Sequence, residues 1–399
     1  MELTINERIG NNIELMQKVE LGNIFKITSG GTPSRNNENF YGGSIPWIKT
    51  GDLKGKYLTI PKEKITEEGL NKSSAKIFPK NTVLLAMYGA TIGACSILPF
   101  EAATNQACAA LLPTEKCNEI YLYYFLISFK DELIKLGVGG AQPNISAGII
   151  KKIQIPFPPL PTQQKIAEIL DTADQLRQYN KQLIEKYDAL TQSLFLDMFG
   201  DLVNNQKKWE FISFGSVFNS LRYGTSSPPI YQESGIPFIR ATNVKNGNVA
   251  IKGMVYISED EASKIKKCKL NEGDLIIVRS GANTGDCCRI PKEHQDSYGG
   301  FDIIIEINEP HSTFYNFLLN TKSGKAVIEP FTRRAGQPHL NSKQITELQL
   351  INPPIILQTQ FAERLQMVET QKQQAQEALA KSEDLFQSLL QRAFKGELN

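Results

Sequence analysis

Histidine, paired cysteine and long apolar runs are scarce in this chain, and each scarcity removes a class of chemistry. There are three histidines in 399 residues. His294, His311 and His339 lie far apart and form no H-x₃-H pair, so a histidine-built metal site is not expected. The six cysteines, Cys95, Cys108, Cys117, Cys268, Cys287 and Cys288, form no C-x-x-C pair. Cys287 and Cys288 are adjacent, which suits neither zinc nor an ordinary disulfide. Buried, reduced thiols are expected instead. No apolar run approaches the roughly 18–20 residues of a membrane span. The start, MELTINERIGNNIELMQ, has acids and Asn where a secretory leader needs a basic stretch and then an apolar one. A cytoplasmic protein away from membranes is therefore expected.

Catalytic signatures are also missing. No G-x₄-G-K-[ST] loop occurs, so nothing points to ATP hydrolysis. The glycines of GVGGA (137–141) are not in G-x-G-x-x-G order. Asn352-Pro353-Pro354-Ile355 superficially matches the N-P-P-aromatic motif that holds a flipped adenine. But Ile355 has no stacking face, and no glycine-rich strand–loop–helix precedes it. No carboxylate cluster reads as a nuclease centre, and Ser29 and Ser280 have no histidine at a recognisable spacing.

What the chain does have is internal order. Its length suggests two or three domains. The net charge is only +2, but it is unevenly spread. Residues 18–155 hold 16 Lys and Arg against 11 Asp and Glu, and residues 206–350 hold 18 against 15. The stretches 1–17, 156–205 and 351–399 are mildly acidic. Basic blocks separated by acidic connectors fit two blocks that meet a polyanion.

The basic blocks are copies of each other. GGSIPWIKTGDL (42–53) matches ESGIPFIRATNV (233–244). PKNTVLLAMYGATIG (79–93) matches LNEGDLIIVRSGANTG (270–285), and GGAQPNIS (139–146) matches RAGQPHLN (334–341). IIKKIQIPFPPLPTQQKIAEIL (149–170) matches QITELQLINPPIILQTQFAERL (344–365). Four matches in the same order at an offset of 191–195 residues define an internal repeat. Each copy begins with about 140 residues of short β-like runs, such as TVLLAMY, LIIVR and FDIIIEI. Helical stretches interrupt them, the clearest being 119–137. A proline gate follows, PFPPLP (156–161) or NPP (352–354), and then a long helix. Trp47 and Phe238 sit in shared framework and read as core rather than as stacking platforms.

Both long helices carry seams with alternating steps of three and four. The first runs through 169, 173, 176, 180, 183, 187, 190 and 194, and the second through 361, 365, 368, 372, 375, 379, 382, 386, 389 and 393. The two stripes suit each other, and the polar seam residues Asn180 and Lys372 would fix register. The other reading is that each helix packs on its own globular domain.

This order of motifs resembles the specificity subunit of type I restriction–modification systems. The resemblance covers nearly the whole chain. It rests on LGNIFKITSGGTPSR (21–35) with FYGGSIPWIKTGDL, on the GGAQPNIS and RAGQPHLN loops, and on PPLPTQQKIAEILDTAD entering a helix. LFLDMFGD (194–201) and LLQRAFKGEL (389–398) add to it. It implies an α+β fold with an internal pseudo-twofold repeat. Two mixed α/β target-recognition domains (18–155 and 206–350) follow an N-terminal segment (1–17). Two long antiparallel coiled-coil helices (156–205 and 351–399) separate them. It implies double-stranded DNA as ligand, with each domain reading half of a bipartite, asymmetric target while the helices set the spacer. It implies two methyltransferase subunits and restriction subunits as partners. S-adenosylmethionine, ATP and Mg would belong to those partners, with no cofactor and no catalytic centre in this chain. Two rivals remain open: the reader half of a fused restriction–methylation enzyme, and a repeat-built scaffold without nucleic acid.

Base edges in the major groove are read by Arg or Lys on guanine and by Asn or Gln on adenine, while phosphates take basic, hydroxyl and backbone N–H groups. The loop-like stretches of the first domain offer Thr32, Ser34, Arg35, Asn36, Lys49, Tyr88, Thr91, Gln142 and Asn144. The second offers Arg222, Tyr223, Thr225, Arg240, Asn243, Arg279, Asn283, Arg333, Arg334, Gln337 and His339. Base contacts are expected where the copies diverge, as at Lys49 against Arg240 and Asp52 against Asn243. The run Lys266, Lys267 and Lys269 reads as a solvated face.

Overall fold

A computed structural model describes residues 17–137, 144–201, 205–332 and 339–398. The chain divides into two compact units, Met1–Gln182 with Gln376–Asn399, and Leu183–Ala375. Each unit holds one of the repeated domains together with a length of both long helices.

In the first unit a four-stranded antiparallel sheet runs in the order Ile27–Ser29, Cys108–Leu111, Val83–Ala86, Cys95–Ile97. The unbroken apolar run VLLA is explained by burial on both faces. Val83 and Leu85 join one core cluster, with the helix Glu119–Ser128, and Leu84 and Ala86 join another. A second sheet runs Lys64–Ile65, Tyr41–Ile48, Ala102–Thr104, Ile77–Phe78, and its central pair is parallel, Trp47 opposite Ala103. Trp47 is 1% exposed and donates from Nε1 to the Gly31 carbonyl at 3.1 Å. It is a core residue, as read from the repeat.

The second unit repeats the design. Its antiparallel sheet runs Ser220–Tyr223, Ile303–Glu306, Leu275–Ile277, Cys287–Arg289. Phe238, fully buried, pairs in parallel with Tyr298 where Trp47 pairs with Ala103. The short pair Lys18–Glu20 with Gln154–Pro156 is matched by Phe211–Ser213 with Gln349–Ile351. The adjacent cysteines are explained by the period of two in a strand. Cys287 faces one core cluster and Cys288 the other. All six thiols are buried and free. Burial pushes the Cys95 thiol up to about 12, so it is no nucleophile at neutral pH.

The expected 119–137 helix is two helices, Glu119–Ser128 and Lys130–Leu136, meeting at Phe129. Asn118 starts the first by accepting from the N–H groups of Ile120 and Tyr121 at 3.0 Å.

Helices of 40 and 41 residues follow the proline gates, Leu160–Phe199 and Ile355–Lys395. At about 1.5 Å per residue each is roughly 60 Å long. One buried glutamine organises each entry. Gln163 donates to the Pro158 carbonyl and Gln358 to the Pro353 carbonyl, both at 2.8 Å. Asn352 accepts from Gln358 at 3.2 Å and from the Tyr315 hydroxyl at 3.3 Å. The NPPI stretch is thus a helix entry.

The two long helices pack together. In the first unit the Arg177 guanidinium lies 4.3 Å from the Phe386 ring, and Asn180 donates to Ser382 at 3.3 Å. In the second unit Lys372 pairs with Asp188 at 2.6 Å, and Phe195 meets Phe361 at 5.5 Å between centroids. One index rises as the other falls, so the pair is antiparallel in both units. Asn180 and Lys372 thus both make cross-helix polar contacts. All ten expected seam positions of the second helix are buried or half-buried. The first seam needs correction. Leu176, Leu183 and Leu190 are 47%, 39% and 48% exposed, and Leu170, Arg177, Ile184 and Thr191 take the inner positions. Leucines marked the wrong register because three inner positions go to residues other than Leu: Arg177, stacked on Phe386, half-buried Ile184, and Thr191, whose hydroxyl donates to the Tyr187 carbonyl at 3.0 Å.

Candidate nucleic-acid interface

In each domain the central strand of the antiparallel sheet ends in a loop that meets the segment following the Gln-Pro loop. In the first copy Tyr88 bridges to Asn144, and in the second Ser280 bridges to His339. Strand registers make these the same place in the repeat, because Ser29 and Leu85 flank Ala109 as Tyr223 and Ile277 flank Ile303. Gly89, at φ +62°, lets the first loop turn back after Tyr88, and the Thr91 hydroxyl donates to the Tyr88 carbonyl at 3.0 Å. Tyr88 and Asn144 are exposed there. Thr32 is hydrogen-bonded to Gln106. Ser34 and Asn36 lie exposed beside Arg35.

Arg35 and Lys49 form a second group in the first domain. The Arg35 guanidinium sits 4.4 Å from the Tyr41 ring and 5.0 Å from that of Trp47. Glu63 holds Arg35 in an ion pair and takes Lys49 at 2.6 Å. Burial raises the Glu63 carboxyl, but the hydrogen bonds from Arg35 and Lys49 outweigh it and hold it below its ordinary value. Two cations therefore stand at a fixed place on one carboxylate. The matching position in the second copy is Val255, since Ile65 and Ile257 occupy equivalent registers.

In the second domain Arg279 is the centre of the site. Its guanidinium lies 4.5 Å from the Tyr223 ring and 4.3 Å from that of Phe301, and Nη2 reaches His339 Nε2 at 2.9 Å. The Tyr223 hydroxyl accepts the Ser342 N–H at 2.7 Å, which fixes that ring. Thr225 closes a local turn by donating to Ser227 at 2.8 Å. Asn283 is half-buried in the loop after Ser280. Arg240 lies 5.5 Å from the Tyr231 ring and donates to the Gly253 carbonyl at 2.7 Å.

Three expected contact residues are tied into the fold. Asn243 is fully buried. Its Oδ1 accepts the Arg240 N–H at 3.2 Å and its Nδ2 donates to the Ala250 carbonyl at 2.9 Å. Asp52 accepts the Lys49 N–H at 2.8 Å, so the diverging pair Asp52 and Asn243 caps the same turn in both domains. Arg222 donates to the Lys267 and Lys269 carbonyls and to the buried Asp274 at 3.1 Å. All three are hydrogen-bonded within the domain. Gln142, Arg333, Arg334 and Gln337 lie outside the described residues. Sequence reasoning missed Glu63, Gln106, Tyr231 and Phe301. Only Phe301 left a signal, an aromatic after two glycines that precedes a strand.

A family model described as the type I restriction modification DNA specificity domain matches residues 13–187 and again 206–380. The chain belongs to that family. The two matches begin at 13 and 206, in step with the internal repeat. Among relatives, the type I restriction enzyme MjaIX specificity subunit of Methanocaldococcus jannaschii is 30% identical over 285 residues, covering 66% of this chain and 65% of that protein. The EcoKI specificity subunit of Escherichia coli K12 is 26% identical over 383 residues, covering 89% of this chain and 82% of the relative. The solved type I restriction–modification S subunit from M. genitalium superposes with a TM-score of 0.62 at 17% identity, covering 97% of each chain, which shows the shared fold. No helix among the described residues is long and apolar enough to cross a membrane. Among the described residues no group of His, Cys, Asp and Glu could hold a metal ion.

Proposed function

We propose that this chain is the DNA-reading subunit of a cytoplasmic type I restriction–modification complex and has no catalytic centre of its own. Each domain reads one half of a bipartite target on double-stranded DNA. The paired helices set the unread spacer and dock two methyltransferase subunits, and restriction subunits join that core. S-adenosylmethionine, ATP and Mg serve the partners. The observation that carries this reading is the repeat itself. Two copies of one domain converge the same two segments and place different side chains there: Tyr88 and Asn144 in one, Arg279, Ser280 and His339 in the other. One scaffold with two contact sets suits a target with two unlike halves.

Binding of target duplex by the complex of this chain with its methyltransferase is the test. Phosphate contacts release counterions, so affinity falls steeply as salt rises. An affinity indifferent to salt and sequence would favour the scaffold reading. Deleting one heptad from both helices should change the spacer and leave both half-sites as they were.

A further inference from the structure

We propose that Arg279 reads a guanine in the second half-site, with Tyr223 and Phe301 as the residues that position its guanidinium. The inference rests on the DNA-reading role above and names the base.

The geometry points to this from three sides. Arginine is planar and carries five donors in a rigid fork, which matches the O6 and N7 acceptors of guanine in the major groove. A guanidinium that contacts two rings, at 4.5 Å and 4.3 Å, gives up less rotamer freedom when DNA arrives. Phe301 is 44% exposed, so the ring that completes the clamp stands at the surface. His339 Nε2 faces a group that only donates, so it accepts from Nη2 and fixes the rotation of the fork.

Arg279 also makes no direct ion pair among the described residues, although its charge is felt by the buried Asp302. Arg222 and Arg289 are neutralised by Asp274 and Glu309. Arg279 has no carboxylate on its guanidinium among the described residues, and its Nε is buried without an acceptor. Asp302 accepts only the Arg279 backbone N–H, at 3.3 Å.

The repeat supplies an internal control. At the matching positions the first domain has Met87, which is buried, for Arg279, Ser29 for Tyr223 and Asn144 for His339. Gln106 stands in the first domain's counterpart of the loop that holds Phe301. The clamp is therefore confined to the second domain. The first offers amides at the same place, which do not make the Arg–guanine pair.

Once the target is mapped, the test is adenine methylation on duplexes with every base of both half-sites substituted in turn. The enzyme is the full chain with its methyltransferase. Wild type should demand guanine at one position of the second half-site, by about 5- to 150-fold over the other bases. Arg279→Ala should lose that discrimination and keep both the first half-site and the rest of the second. Phe301→Leu should lose part of it, and Phe301→Tyr should restore it. Retained reading of the remaining positions shows that the variants fold. A second half-site without a G·C demand overturns the proposal. So does an Arg279→Ala variant that weakens all sequences alike and lowers the salt slope by about one, the mark of a phosphate contact. If wild type shows no split target at all, the DNA-reading role itself fails, and that outcome is distinct from either of these.

Discussion

Arg222 separates a structural arginine from a reading one, and Arg222→Ala makes the difference measurable. Its guanidinium answers Asp274, whose side chain is 3% exposed, and closes two backbone carbonyls. Removing it leaves a buried carboxylate without a counter-charge. Breaking such a pair costs roughly 3–5 kcal/mol, and the lower end applies because the arginine is itself a quarter exposed. For a unit of this size each kcal/mol moves Tm by about 2–4 °C, so the second unit should melt roughly 6–12 °C lower. Burial already raises the Asp274 carboxyl above its ordinary value, with Arg222 pulling the other way. Without Arg222 it rises further. The variant's deficit should therefore shrink as pH falls and Asp274 takes up its proton in both proteins. Thermal unfolding across pH gives the size of the loss. Hydrogen exchange at Ser220–Tyr223 and Leu275–Ile277 should place it in this sheet. The salt slope of DNA binding, measured below the melting transition, should stay as in wild type. An unchanged Tm with a salt slope reduced by about one would refute this reasoning and return Arg222 to the phosphate contacts.

Other perturbations test other parts of the account. Trp47→Ala empties a fully buried site, loses the bond to Gly31 and should cost roughly 3–5 kcal/mol in chemical denaturation, with no base-specific effect on the duplex panel. On the helices, Leu176→Gln should change stability by less than about 0.5 kcal/mol, and Phe386→Ala, at the true seam, should cost roughly 3–5 kcal/mol. Burial raises the Asp302 carboxyl from 3.8 to about 6 against the pull of the Arg279 N–H and charge. An acid with a raised folded value holds its proton more tightly when folded, so its contribution is most favourable below about pH 4 and is lost as pH rises to about 6. That loss is about 3 kcal/mol and should vanish from the stability–pH profile of Asp302→Asn.

The repeat was legible because the chain contains its own comparison. IPWI and IPFI could be matched without any other sequence, and the pairing predicted that Trp47 and Phe238 share a core position. The runs VLLA and DLIIV were legible as strands but not their two-sided burial, which also explains the adjacent Cys287 and Cys288. The second helix gave its seam correctly and the first did not. Its inner face uses arginine and threonine, and its leucines face outward at Leu176, Leu183 and Leu190. The surroundings of the expected contact residues were the least legible. Asn243 and Arg222 have the residue types of DNA readers, yet their partners, Ala250 and Asp274, are set by turns and strand pairing that composition does not reveal. Glu63 was missed for the same reason, since the two cations it gathers come from positions 14 and 28 residues away.

The central claim is that two domains of one design read two unlike halves of a single DNA target. A genome-wide map of methylated adenines, made with and without this chain, tests it most directly. The account predicts one split, asymmetric motif with a fixed spacer that appears only when the chain is present. A map unchanged by removal of the chain, or a motif that is continuous or symmetric, would contradict it.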